Sequence, residues 1–184
     1  HLSYDGTSND NDPYEFVIHS SDQNTDAQAR VAFAAESNQW IHIVGVFNAG
    51  DSISIYLDGV LQESQNTNIS SLIYTPSGVG EGDFLIGALQ VTNDWNWSGK
   101  LDDVFIYDKA LSKEEVLEIY NNNLILENLQ GYWNFEEGNQ EGSVLDVSGN
   151  GNDGVLNNCT YSYSVPPQTL QNNSNNTCSS EDEI

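Results

Sequence analysis

Short runs in which apolar and polar residues alternate, punctuated by Gly, Asn and Asp, restrict this chain to strands. Alternation with period two puts successive side chains on opposite faces of an extended backbone. Tyr14, Phe16 and Ile18 share one face of the run Tyr14–His19, and Ile53, Ile55 and Leu57 share one face of Ser52–Leu57. Asp58-Gly59 then separates the second run from Val60-Leu61. That dipeptide predicts a hairpin, because both turn residues must accept positive φ. Trp40 to Phe47 is apolar on both faces, with Trp40, Val44 and Val46 opposite Ile41, Ile43 and Phe47. Such a strand suits the middle of a sandwich, covered on both sides. Val31–Ala35, Phe84–Leu89 and Leu101–Tyr107 are further predicted strands, followed by Gln130–Phe135, Ser143–Val147, Gly154–Asn157 and Cys159–Val165.

One helix interrupts the pattern. Ser112-Lys113-Glu114-Glu115 is a capping box, with Ser112 as N-cap and Glu115 reaching back to it, and Leu111 and Val116 form a hydrophobic staple. Val116, Leu117 and Tyr120 form its predicted apolar stripe, and Asn121-Asn122-Asn123 ends it. So short a helix is unstable alone and must pack on the sheets. Many short strands with one small helix predict an all-β fold, an antiparallel β-sandwich of the jelly-roll type, possible as an incomplete or permuted version.

Charge excludes several partners. Four Lys+Arg face 28 Asp+Glu in 184 residues, a formal charge of −24. Phosphate binding needs clustered basic side chains, so no nucleic-acid partner is expected, and an anionic membrane surface is equally disfavoured. No apolar run approaches the roughly 20 residues of a membrane helix, so no membrane insertion is expected. The opening His1-Leu2-Ser3-Tyr4-Asp5-Gly6 lacks the basic start and apolar stretch of a signal peptide, which is a removable segment. The carboxylates suit either a solvated surface or loops that hold calcium, an ion that prefers hard oxygen ligands. Cys159 and Cys178 are the two cysteines. Oxidised, they would close a loop of about 18 residues and stabilise by about 3 kcal/mol; a disulfide is the expectation, two free thiols the alternative.

Ordered motifs over about 80 residues resemble a known family. Trp40-Ile41-His42-Ile43-Val44-Gly45-Val46-Phe47 with Ile55-Tyr56-Leu57-Asp58-Gly59 is similar to the central hairpin of laminin-G-like jelly rolls, in the concanavalin A-like lectin/glucanase superfamily. Phe84-Leu85-Ile86-Gly87, the segment Trp97 to Tyr107, and Ala110 to Val116 resemble the family's closing motif. Gly131 to Gly138 and Leu145 to Gly154 resemble its opening motif, here placed after the closing one. Residues 1–124 therefore read as the middle and closing part of one jelly roll. Residues 125–167 read either as the opening strands of a next repeat or as the permuted completion of the same sandwich, and 168–184 as a polar linker or tail. Strands supplied by another chain are a third possibility.

The resemblance implies sugar or protein binding, often calcium-assisted. Hydrolases of the superfamily need paired carboxylates about 5–9 Å apart; their Glu-x-Asp-x-x-Glu array is not found here, so no enzyme activity is expected. His19 and His42 sit within strands as packing or surface residues, and no Cys/His spacing suits zinc. Asp146-x-Ser148-x-Asn150-x-Asn152 places side-chain oxygens at alternate positions, with Gly149 and Gly151 permitting a tight wrap. It is a candidate calcium loop, or a turn in which Asp and Asn bond their own backbone. Asp22-x-Asn24-x-Asp26 is a weaker candidate. By the resemblance, Asp102 is a further candidate metal ligand. Trp40, Trp97 and Trp133 fall on family core positions, whereas Trp95, between Asp94 and Asn96, is the candidate to stack on a sugar while its neighbours bond hydroxyls.

The expectation is an extracellular, secreted or surface-borne binding or adhesion module directed at a glycan or a cell-surface protein. Neighbouring repeats or another copy of the chain are the other expected partners. A structural repeat of a surface fibre without its own ligand, or an accessory module of a secreted hydrolase, are the alternatives.

Overall fold

A computed structural model of the chain describes residues 2–4, 14–19, 26–31, 39–71, 84–88, 97, 99–137, 142–162 and 166. In chain order its elements are β1 (Leu2–Tyr4), β2 (Tyr14–His19), β3 (Asp26–Val31), β4 (Ile43–Asn48), β5 (Ser52–Leu57), β6 (Val60–Asn66), β7 (Val104–Tyr107), α1 (Lys113–Tyr120), β8 (Leu129–Trp133), β9 (Ser143–Val144) and β10 (Gly154–Val155). Every pairing among them is antiparallel, in the orders β1-β2-β3, β4-β5-β6, β7-β8 and β9-β10. This is the expected β-sandwich of the jelly-roll class.

The sheet β4-β5-β6 is the middle layer. Its register sets Ile43 against Leu57 and Phe47 against Ile53. Between β5 and β6 the ladder slips at Ile55/Tyr56, and the Asp58-Gly59 turn follows with φ of 49° and 76°. Both turn residues take the left-handed conformation that the sequence predicts. One face of this sheet meets β2 and β3. Tyr14 and Ile18 pack there with Ile53, Ile55 and Ile69, and Ile53 and Ile55 are fully buried. Phe16 lies over Gly45, where an added Cβ would come within 2.6 Å of its ring. The missing side chain on β4 is what admits the aromatic from β2.

The opposite face presents Val46 and Tyr56 to Leu111, Val116 and Ile119, with Val44, Phe105, Tyr107 and Ile125 around them. Alternation along β4 therefore feeds two cores, as its two apolar faces predict. Burying each such side chain contributes about 1.5–3 kcal/mol, which holds a helix of 8 residues that would be marginal by itself. The capping box is formed: Ser112 Oγ accepts from the Glu115 N–H at 3.2 Å, and Glu115 Oε2 accepts from the Ser112 N–H at 2.8 Å.

Four expectations need correction. β3 ends at Val31 rather than starting there, and 32–35 lie outside the described residues. The helix buries Val116 and Ile119 while Leu117 is exposed; a step of three residues keeps a face whereas a step of one turns away from it. Residues 84–88 form only an isolated bridge at Ala88, and 159–162 form no strand.

Candidate functional site

The hairpin-like pair β7-β8 carries the densest polar network among the described residues. Val104 pairs with Trp133 and Phe105 with Tyr132, so β7 occupies one edge of β8. The loop 146–152 closes the other edge with side chains. Asp146 Oδ1 accepts from the N–H groups of Tyr132 and Ser148, each at 3.0 Å, and Oδ2 accepts from the Asn152 N–H at 2.9 Å. The Val147 N–H donates to the Tyr132 carbonyl at 2.8 Å. Asn150 Nδ2 donates to the carbonyls of Leu129 and Gln130 at 2.9 and 3.1 Å, and Asn152 Nδ2 to Gln130 at 2.8 Å. Gly149 and Gly151, at φ 88° and 79°, supply the left-handed backbone this wrap requires. Trp133 Nε1 donates to the Asn152 carbonyl at 3.0 Å and ties the loop to the core.

Asp146 is almost fully buried. Burial alone would raise its pKa; the Ser148 hydroxyl and the N–H groups of Tyr132, Asn152 and Ser148 outweigh that and hold the carboxyl well below the ordinary range. The sequence-predicted set Asp146, Ser148, Asn150 and Asn152 is thus brought together. The main-chain partners on β8 escaped sequence reasoning, namely the carbonyls of Leu129 and Gln130 and the N–H and carbonyl of Tyr132, because main-chain atoms leave no residue signature.

Asp102 lies outside that network. Its Oδ1 accepts from the Asp103 N–H at 3.0 Å. Burial, then the adjacent Asp103, and more distantly Glu136, raise its pKa against the opposing backbone hydrogen bond. Asp103, at φ 48°, accepts from the Tyr132 hydroxyl at 2.7 Å. Burial and that carboxylate push the phenol well above its usual value. Nearby, the His42 ring stands 5.6 Å from Tyr120, and its buried Nδ1 has no hydrogen-bond partner. No group of three His, Cys, Asp or Glu side chains gathers to hold a metal among the described residues.

The tryptophans divide. Trp133 is buried and stacks on Phe84 at 5.4 Å, Trp40 is half-buried, and Trp97 is 38% exposed. Phe84 itself is 58% exposed. The Trp97 indole lies along its own chain because Gly99 has no side chain to displace it: an added Cβ would sit 2.8 Å from Nε1. The predicted ligand residues Asp94, Trp95 and Asn96 lie outside the described residues. So does Cys178, and with it the expected disulfide; Cys159 is exposed, its thiol donating to the Asn157 carbonyl at 3.3 Å. Of the weaker calcium candidate, Asp26 pairs with His19 in the β2-β3 ladder and Asp22 and Asn24 are outside the described residues.

One solved structure shares this architecture. A structure titled as a "putative carbohydrate binding protein" from Bacteroides ovatus superimposes with a TM-score of 0.56 at 16% identity, over 78% of this chain and 40% of its own. An S-layer domain-containing protein from Clostridium thermocellum gives 0.38 at 22% identity, over 65% of this chain and 61% of its own. The chain thus spans less than two thirds of each. No curated protein matches it. The profile of the Laminin_G_3 family, described as concanavalin A-like lectin/glucanases superfamily, matches residues 2–117, more than half of the sequence. The chain belongs to this laminin-G-like family of the concanavalin A-like lectin/glucanase superfamily.

Proposed function

We propose that this chain is a non-catalytic carbohydrate-binding module that acts outside the cell or at its surface. The observation that carries the reading is the exposed indole of Trp97, whose Nε1 edge lies close to Gly99. Sugar rings present a C–H face that packs on an aromatic plane, and their hydroxyls need polar partners at its margin. Asp94, Trp95 and Asn96 immediately precede Trp97 in the sequence and carry a second indole and polar side chains of the required kind. The lectin-like family and the name of the Bacteroides ovatus neighbour support the same ligand class. No helix among the described residues is long and apolar enough to cross a membrane. The reading assigns no bond-cleaving step to any residue. Glycan-array and calorimetric binding, with Trp97→Ala and Trp95→Ala, tests it. Affinity should fall at least about tenfold, or 1.4 kcal/mol, while the melting temperature is kept. No bound glycan, or unchanged affinity in both variants, would refute it.

Residues 125–167 are read as the permuted completion of the sandwich begun in 1–124. Support comes from β8, in the opening-type motif, pairing with β7, in the closing-type motif, within one chain. Truncation after residue 124 should then abolish cooperative unfolding.

A further inference from the structure

We propose that His42 is an acid-operated latch, which fastens the β5–β6 turn to the end of α1 and lets go when its ring takes a proton. Residue 42 continues the alternation of β4, so it shares the face of Val44 and Val46, which packs on the helix. Its ring stands 5.6 Å from that of Tyr120, tilted by 40°. Its backbone is tied twice to the turn. The His42 N–H donates to Asp58 Oδ1 at 3.0 Å, and the Asp58 N–H donates to the His42 carbonyl at 2.9 Å. Gly59 follows against the helix, where an added Cβ would lie 3.1 Å from Leu117 Cδ1 and 3.2 Å from Tyr120 Cδ1. Strand entry, turn and helix end therefore interlock around one imidazole.

Nδ1 of that imidazole is buried and has no hydrogen-bond partner, the one such side-chain atom among the described residues. A neutral ring carries a single N–H, and burying a bare lone pair costs less than burying an unpaired donor. The proton therefore sits on Nε2, and the Nδ1 lone pair faces inward. Protonation places at Nδ1 both a charge and a donor with nothing to receive it. Two carboxylates face the ring, Asp58 from the turn and Asp103 from the loop before β7, while α1 presents the Tyr120 phenol. Asp58 already accepts from the His42 N–H, and Asp103 from the Tyr132 hydroxyl at 2.7 Å. Neither lies within hydrogen-bond distance of Nδ1. The imidazolium reaches one of them only by turning out of its seat against Tyr120, and the helix end then loses the ring it rests on. Burial outweighs the pull of the two carboxylates and holds the folded ring below the ordinary 6.5, so falling pH favours the opened form. Ile53 and Ile55 pack on the other face of the sheet and take no part.

Amide exchange of the full chain, corrected for intrinsic rates and compared between about pH 7.5 and about pH 5, tests the latch. Protection of residues 116–121 should fall several-fold, and by no more than about thirtyfold, the limit for one proton over about 1.5 pH units below 6.5. Protection of residues 53–57 should not change. In nuclear magnetic resonance the His42 ring should titrate below 6.5 and show the Nε2–H tautomer near neutrality. His42→Phe keeps a ring but has no proton to gain, so its helix should be equally protected at both pH values. Asp58→Asn keeps an acceptor for the His42 N–H and tolerates the positive φ of the turn. It removes one attractive charge and should move the opening to lower pH. Equal loss of protection in α1 and β5, a helix response unchanged in His42→Phe, or a His42 ring that titrates at 6.5 or above overturns the proposal. If His42→Phe does not fold, the wild-type ring titration and Asp58→Asn decide in its place.

Discussion

Replacing Asp146 by Ala, measured in a chelator so that no metal contributes, isolates the worth of the β8 edge closure. The carboxylate takes three backbone N–H bonds at 2.9–3.0 Å while almost fully buried. A hydrogen bond to a charged group contributes about 1.5–3 kcal/mol, but three on one carboxylate do not add. The expected loss is about 4 kcal/mol, a large share of a total stability of about 5–15 kcal/mol. At about 2–4 °C per kcal/mol for a chain of this size, the melting temperature should fall by about 8–16 °C. Asp146→Asn keeps the shape and one acceptor and should lose about half as much. The pH dependence checks the cause. The folded pKa is depressed, so on acidification the unfolded chain takes the proton first. The carboxylate's contribution is complete above about pH 4 and is lost as pH falls through the lower folded value. The gap between wild type and variant, followed by calorimetry, should be constant near neutrality and close below about pH 4. Comparing the two proteins cancels the titration of the other carboxylates. A gap under about 2 °C at neutral pH, or one unchanged in strong acid, would refute the reasoning.

Three further outcomes are expected. Ser112→Ala removes the N-cap acceptor of α1 and should cost about 1 kcal/mol in urea unfolding, with Ser112→Gly nearly neutral by comparison. Ile53→Ala, at a fully buried position between two layers, should cost about 2–5 kcal/mol with an unchanged denaturant slope. Burial lowers the pKa of His42, against the pull of Asp58 and Asp103. The unfolded chain therefore binds the proton more readily, and stability should fall as pH drops from about 7 to 5; His42→Phe should flatten that slope in thermal melts.

The sequence made the local geometry legible. Period-two alternation located β2, β4 and β5, and the two apolar faces of Trp40–Phe47 announced a strand between two cores. Asp58-Gly59 and the Ser112–Glu115 box specified a turn and a cap because each depends on residues only a few positions apart. Trp97 was less legible, since its family position suggested packing whereas its exposure depends on what the surrounding chain leaves uncovered. Residue spacing likewise proposed the oxygens of Asp146, Ser148, Asn150 and Asn152 without saying what they face.

Alternation, turn chemistry and capping thus determined a sandwich of short antiparallel strands with one helix, because these are contests between neighbouring residues. Tertiary structure alone decided that loop 146–152 lies on β8, that its amides meet the carbonyls of Leu129 and Gln130, and that β8 pairs with β7. Those contacts join groups distant along the chain through main-chain atoms, which every residue type carries alike and no sequence pattern distinguishes.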